Sequence, residues 1–245
     1  MSRTAKQVRV IAGFLFFAGV VLGSFWLVLR TPPTCTDGKQ NQKERGVDCG
    51  GPCTATCVSD LSVLKTQGDI LRFEAGGKTI FLATVANPNE KFAARRFPYV
   101  INYTDSAGSP AEVSGESWLY GGQERYIAAF VEGPASLPSF KFLGPIDWQT
   151  AADYPRAEVE VLNFQSESTT SSIKISGSLI NRGAAPIKRA QVVVILKNSY
   201  GLPAGVSITE TGYMSSGQQE IFSLIHPTSS AIDVSRSSVF VYGQR

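Results

Sequence analysis

Four cysteines, a short run of oxygen-bearing side chains, a few aromatics and one histidine are the residues whose types could do chemistry. Cys35, Cys49, Cys53 and Cys57 fall in one segment with the spacing C-x13-C-x3-C-x3-C. That spacing has no C-x2-C knuckle and no neighbouring histidine, which disfavours zinc. An even number of clustered cysteines reads instead as two disulfides, with three connectivities open. So short a segment cannot bury a core of its own, so crosslinks must hold its shape. Between and beside these cysteines stand Asp37, Asn41, Glu44 and Asp48. Calcium takes about six to eight oxygen ligands, often from compact loops, so these four form a candidate Ca2+ site. The competing reading has Asp37 and Asn41 bonding to nearby backbone in turns while Glu44 is solvated. No other cofactor is expected.

Catalytic chemistry has little to work with. The single histidine, His226, directly precedes Pro227, and any Ser-His-Asp or Cys-His mechanism would depend on it. No G-x-S-x-G, H-E-x-x-H, phosphate-binding loop or G-x-G-x-x-G accompanies it. Glu158 and Glu160 alternate with Val159 and Val161, as on the wet face of an edge strand. The chain therefore reads as a non-enzyme. Trp118, Tyr120, Trp148 and Tyr154 are a candidate binding surface for a sugar or a protein, since exposed aromatics anchor interfaces. The alternative is that Trp118 fills a core and Trp148 wedges two units together.

The elements that must position these groups begin with a membrane-type segment. From Val10 to Leu29 the chain carries no charge, and most residues are Leu, Ile, Val or Phe. At the helical rise this stretch matches the hydrocarbon thickness of a bilayer. Arg3, Lys6 and Arg9 precede it and Arg30 follows it, so the basic excess is topological. The whole chain has a formal charge of +3, but residues 31–245 hold 19 basic against 20 acidic groups. A near-neutral bulk makes nucleic acid a poor partner. Residues 1–9 are expected in the cytoplasm, 10–29 across the cell membrane, and the C-terminal bulk outside the cytoplasm. A cleaved signal peptide is the rival reading, with Val21 and Gly23 before Ser24 as its cleavage site. Gly19 and Gly23 form a GxxxG pair, a candidate face for helix pairing and hence for a homo-oligomer in the bilayer.

Residues 30–58 form the cysteine-rich module. Its run Cys35-Thr-Asp37-Gly38, then Asn41, Glu44 and Val47-Asp48-Cys49-Gly50-Gly51-Pro52-Cys53, resembles a short module of secreted or membrane-anchored bacterial and archaeal proteins. The resemblance implies an exported envelope protein rather than an activity.

Residues 59–149 and 156–245 read as two β units joined by Gln149–Arg156. Phe81, Ala83 and Val85 alternate toward one face, as do Ile175, Gly177 and Leu179. Pro98–Thr104, Ala190–Lys197, Glu220–Ile225 and Ser237–Tyr242 are β-prone runs. Turns recur in order: Asn87 with Asn181, Asp105-Ser-x-Gly108 with Asn198-Ser-x-Gly201, and Gly122-Gln123 with Gly217-Gln218. Asp or Asn starts such a turn and glycine takes the positive-φ position. The order of strands and turns resembles immunoglobulin-like β-sandwiches of the FxLYD and late-embryogenesis-abundant type, departing from them at Ile195-Leu196-Lys197-Asn198. The expected architecture is mainly β: one transmembrane helix, a disulfide-rich module and two tandem immunoglobulin-like sandwiches. The expected role is protein–protein assembly with envelope partners in a surface, pilus or secretion machine. Glycan binding by exposed aromatics is the alternative.

Overall fold

The computed structural model describes residues 3–29 and 34–245. Residues 3–61 contain a single long helix, α1 (Arg3–Leu29), and the cysteine module. The helix begins well before Val10 because nothing from Thr4 to Arg9 breaks helical propagation. The absence of charge marks its apolar part, not its start. Gln7–Trp26 has a mean hydropathy of 2.1, enough to cross a bilayer, and its large side chains are exposed around the helix. Gly19 and Gly23 stand in open space on it. Arg30 lies outside the described residues.

Residues 62–245 form one compact β unit built from two sheet pairs. In the first half, one sheet has the order β1 (Lys65–Ala75), β2 (Lys78–Ala86), β5 (Glu124–Glu132). The facing sheet has β4 (Pro110–Leu119), β3 (Phe92–Thr104) and β6 (Ser136–Phe142), with β7 (Asp147–Thr150) also on β3. The second half repeats this order: β8 (Val159–Ser168), β9 (Ser172–Asn181), β12 (Gln219–Pro227) in one sheet. Its partner sheet is β11 (Pro203–Thr211), β10 (Arg189–Lys197), β13 (Asp233–Gln244). All strand pairs within these sheets are antiparallel.

The repeated turns are built from the same bonds. Asp105 Oδ1 accepts the N–H groups of Ala107 and Ser109 at 2.9 and 2.8 Å. Asn198 Oδ1 accepts those of Tyr200 and Leu202, both at 3.0 Å. Gly108 and Gly201 close these turns at φ 78° and 80°, where a side chain would be strained. A second pair of devices clamps the strand ends. Asn87, buried, donates through Nδ2 to the carbonyls of Phe92 and Tyr120, and its own N–H donates to Gln123 O. Asn181, also buried, donates to the carbonyls of Ala185 and Met214, and its N–H to Gln218 O. Gln123 Oε1 accepts Tyr120 N–H at 3.0 Å, and Gln218 Oε1 accepts Ser215 N–H at 2.8 Å. Side-chain amides thus satisfy backbone groups that the sheets leave unpaired.

Each half has a core between its own sheets. Phe81, Ile101, Ala129 and Val131 lie in the first, beside Val85, Phe97, Leu119 and Ile127. Ile175, Leu179, Val192, Val194, Leu196 and Phe222 lie in the second. A third core joins the halves, where Phe73, Ile80 and Leu82 meet Val193, Ile195 and Val206. Alternation explains the division: Phe81 points into its own half while Ile80 and Leu82 point across. On β10 all five residues Val192–Leu196 are buried, so the unbroken apolar run marks a strand covered on both faces. Each such side chain contributes about 1.5–3 kcal/mol by burial. The halves therefore share a core rather than hanging on a linker. Gln149 and Thr150 belong to β7, and Tyr154 packs into the shared core.

Candidate functional site

In the cysteine module the disulfides pair Cys35 with Cys53 and Cys49 with Cys57, an interleaved connectivity. Gly51 has φ 60°, and a Cβ there would lie 2.3 Å from Lys43 O. Only glycine lets the Gly-Gly-Pro-Cys segment pass that close to the chain. The carboxylates of Asp37, Asp48 and Glu44 are engaged mainly with backbone, while Asn41 Oδ1 is buried without a partner. Asp48 accepts Asp37 N–H at 3.0 Å and Gly38 N–H at 2.9 Å. Asp37 accepts Lys39 N–H and Asn41 Nδ2–H at 2.9 and 2.8 Å, and the Asn41 bond leads in holding its carboxyl below the usual range. Glu44 is buried, and its Oε2 accepts the N–H groups of Asn41 and Asp48. Its Oε1 lies 3.0 Å from the Cys53 sulfur, which as half of a disulfide carries no proton. Cys35, Glu44 and Cys53 converge, but the two sulfurs are bonded to each other, so the trio has no thiolate for a metal. The arrangement performs turn-building with these carboxylates.

The aromatics that could have formed an exposed binding surface do not form one. Trp118, Tyr120 and Tyr154 are buried in the core shared by the two halves. Trp118 Nε1–H and Tyr120 O–H both donate to Gly243 O, at 3.0 and 3.1 Å. Tyr154 O–H donates to Arg245 O at 3.1 Å and its ring stacks on Tyr120. Burial raises the Tyr120 and Tyr154 hydroxyl pKa values, and pushes Tyr242 up to about 12. Trp148 is half-buried and packs on the core of the first half. Trp118 thus fills a core, as the alternative reading had it, though the one the halves share, whereas Trp148 does not wedge the halves and packs within the first. Each polar tip finds a backbone partner, which lets these rings sit in an interior seam.

Arg125, on β5, has no counterpart in the sequence reading. It is only 2 % exposed, and its guanidinium lies 3.5 Å from the Trp118 ring centroid. It donates to two neutral acceptors, Trp118 O at 3.3 Å and Gln191 Oε1 at 2.8 Å, and its Nε–H has no partner. Desolvation lowers its pKa to about 9, so it stays charged at neutral pH. Arg189 approaches the same ring at 4.8 Å and pairs with Glu210 at 3.3 Å. Arg95 and Arg96 lie on β3 and pair with Asp147 and Glu116.

His226 is buried, and its Nδ1 lies 2.9 Å from Ser207 Oγ. Desolvation lowers its pKa, favouring the neutral ring. A serine nucleophile is normally served by one ring nitrogen while a carboxylate orients the other. Here the hydroxyl is itself buried and no carboxylate bonds the ring among the described residues. The pair is a satisfied polar contact between β11 and β12. Glu160, as expected, is exposed on an edge strand, where it pairs with Arg182.

No protein-family model and no curated protein sequence matches the chain. Among solved structures, red sea bream transglutaminase aligns over 75 % of this chain and 31 % of its own, with 10 % identity and a TM-score of 0.23. This chain thus spans about a third of that enzyme's length, and a likeness this slight carries no argument.

Proposed function

We propose that the chain is a non-catalytic, membrane-anchored envelope protein that assembles with other envelope proteins. In this reading α1 crosses the cell membrane with its basic N-terminal end in the cytoplasm. The disulfide module and the β unit, read as two tandem immunoglobulin-like sandwiches, stand outside it. The observation that carries the reading is the pair of disulfides following a helix long enough to span a bilayer. Disulfides persist in oxidising compartments, and basic residues before a span favour the cytoplasmic side.

Assembly draws support from β12. It is an edge strand whose outward Ile221 and Ile225 are 83 % and 74 % exposed. Edge strands offer unpaired backbone groups, and bare isoleucines beside them suit a covering partner. Crosslinking and pull-down of the tagged full chain from native membranes tests this. The expected result is a stoichiometric complex, and a clean monomer overturns it. Thiol labelling from each side of the membrane checks orientation: reduced, cytoplasm-accessible cysteines overturn the topology.

A further inference from the structure

A cleft runs along the seam between the two halves of the β unit, with Arg125 and Trp118 at one end and Lys188 and Arg245 at the other. Glu116, Ser117 and Arg189 line both parts, so the two parts adjoin. Its charges do not balance. Of the three carboxylates that line it, Glu116 is held by Arg96, Asp147 by Arg95, and Glu210 accepts from Arg189 and Gln191. Among the described residues no carboxylate pairs Arg125, whose acceptors are both neutral. None pairs the side chain of Lys188, which is exposed, or that of Arg245. The Nε–H groups of Arg125 and Arg245 are both buried without an acceptor.

A buried guanidinium with no directly bonded carboxylate is costly, and stacking on Trp118, together with the nearby Glu210, offsets only part of that cost. Guanidinium groups present a planar fork of donors that matches an oxyanion. Glu116 and Glu210 in the walls weigh against a doubly charged phosphate and favour a singly charged carboxylate.

We propose that this cleft is a carboxylate-recognition site that takes an acidic segment of a partner polypeptide. Lys188, Arg189 and Arg245 contact the carboxylates, while Arg125 supplies a fixed positive field beneath them. That the partner is an envelope protein rests on the assembly reading above; the carboxylate chemistry does not.

The test is calorimetric titration of the detergent-solubilised full chain at low salt with a hexaglutamate peptide. Inorganic phosphate and hexalysine are run in parallel. Saturable binding of hexaglutamate is expected, weakened at least about tenfold by the rim variant Lys188→Glu/Arg245→Glu. Lys188→Glu alone, at the exposed position, should weaken binding in the same direction with the melting temperature unchanged. Arg125→Lys, which keeps the charge and loses the fork, is expected to weaken binding less. Absent binding by a folded chain, equal binding by the rim variant, or tighter binding of phosphate overturns the proposal. A membrane partner still captured by the rim variant leaves assembly standing and overturns the cleft. Peptide binding lost in that variant, beside a monomer in native membranes, supports the cleft and overturns assembly.

Discussion

The two halves of the β unit repeat each other in strand order and turn chemistry, but they differ in which outer face is apolar. On β2 the outward residues are Ile80 and Leu82; at the corresponding places on β9 stand Lys174 and Ser176. The inward residues match in kind, Phe81 and Val85 against Ile175 and Leu179. The facing sheets reverse the asymmetry. β10 turns Val193 and Ile195 outward into the shared core, whereas β3 keeps a buried valine, Val100, where β10 has Val193 but places the half-buried Asn102 where β10 has Ile195. Each half thus carries one greasy outer face, on opposite sheets, and the two faces cover each other. The repeat specifies the shape of a half; the departures from it specify how the halves meet.

The strongest way to break this comparison is to exchange the departures. Ile195→Asn should cost about 3–5 kcal/mol in urea unfolding, from lost burial and an unsatisfied amide. The mirror change, Asn102→Ile, should stay within about 1 kcal/mol, because that site is not in the seam. Equal costs would show that the halves are not distinguished by their faces. The clamps sharpen the shared part. Asn87→Ala and Asn181→Ala should each cost about 2–3 kcal/mol in the same assay, since each strands one buried carbonyl and at least one part-buried carbonyl. A large difference between them would mean the clamps are alike only in geometry. Asp105→Ala and Asn198→Ala should each cost about 1 kcal/mol, because these turns are exposed.

The smallest expected effect separates the halves by pH. His226 has no equivalent in the first half, and its pKa in the folded chain lies below the ordinary 6.5. Below pH 6.5 the unfolded state takes up the proton first, so its contribution is intact above that pH and is lost as the pH falls toward the lowered value. Melting temperature should therefore decline from pH 7 to pH 5, and His226→Gln should flatten the decline. An unchanged slope in the variant removes His226 as a cause.

Much of this was legible in the residues. Alternation located the strands, and the Asp105/Asn198 and Asn87/Asn181 pairs marked the duplicated turns before any bond was known. The run Ala190–Lys197 read as a β-prone strand, but its burial on both faces did not show, because a run does not say what covers it. The disulfide pairing was not legible, because loop spacing admits three answers and only the approach of Gly51 to Lys43 makes the path concrete. Trp118 is core as read, but the place of Trp148 was not legible, because side-chain direction depends on strand register, which one residue reverses. Arg125 had no signal at all. A lone arginine on an alternating strand reads as solvated, and only a second sheet laid over it makes it interior.

The mutual covering of the outer faces also has a consequence in time. A ribosome completes Phe73, Ile80 and Leu82 well before Val193, Ile195 and Val206 exist. Until then the first half can close its own core and satisfy its turns, yet it carries an apolar sheet face with nothing over it. During synthesis this face is adhesive, a property absent from the finished molecule. A chaperone that shields exposed β surface would find its substrate in that interval.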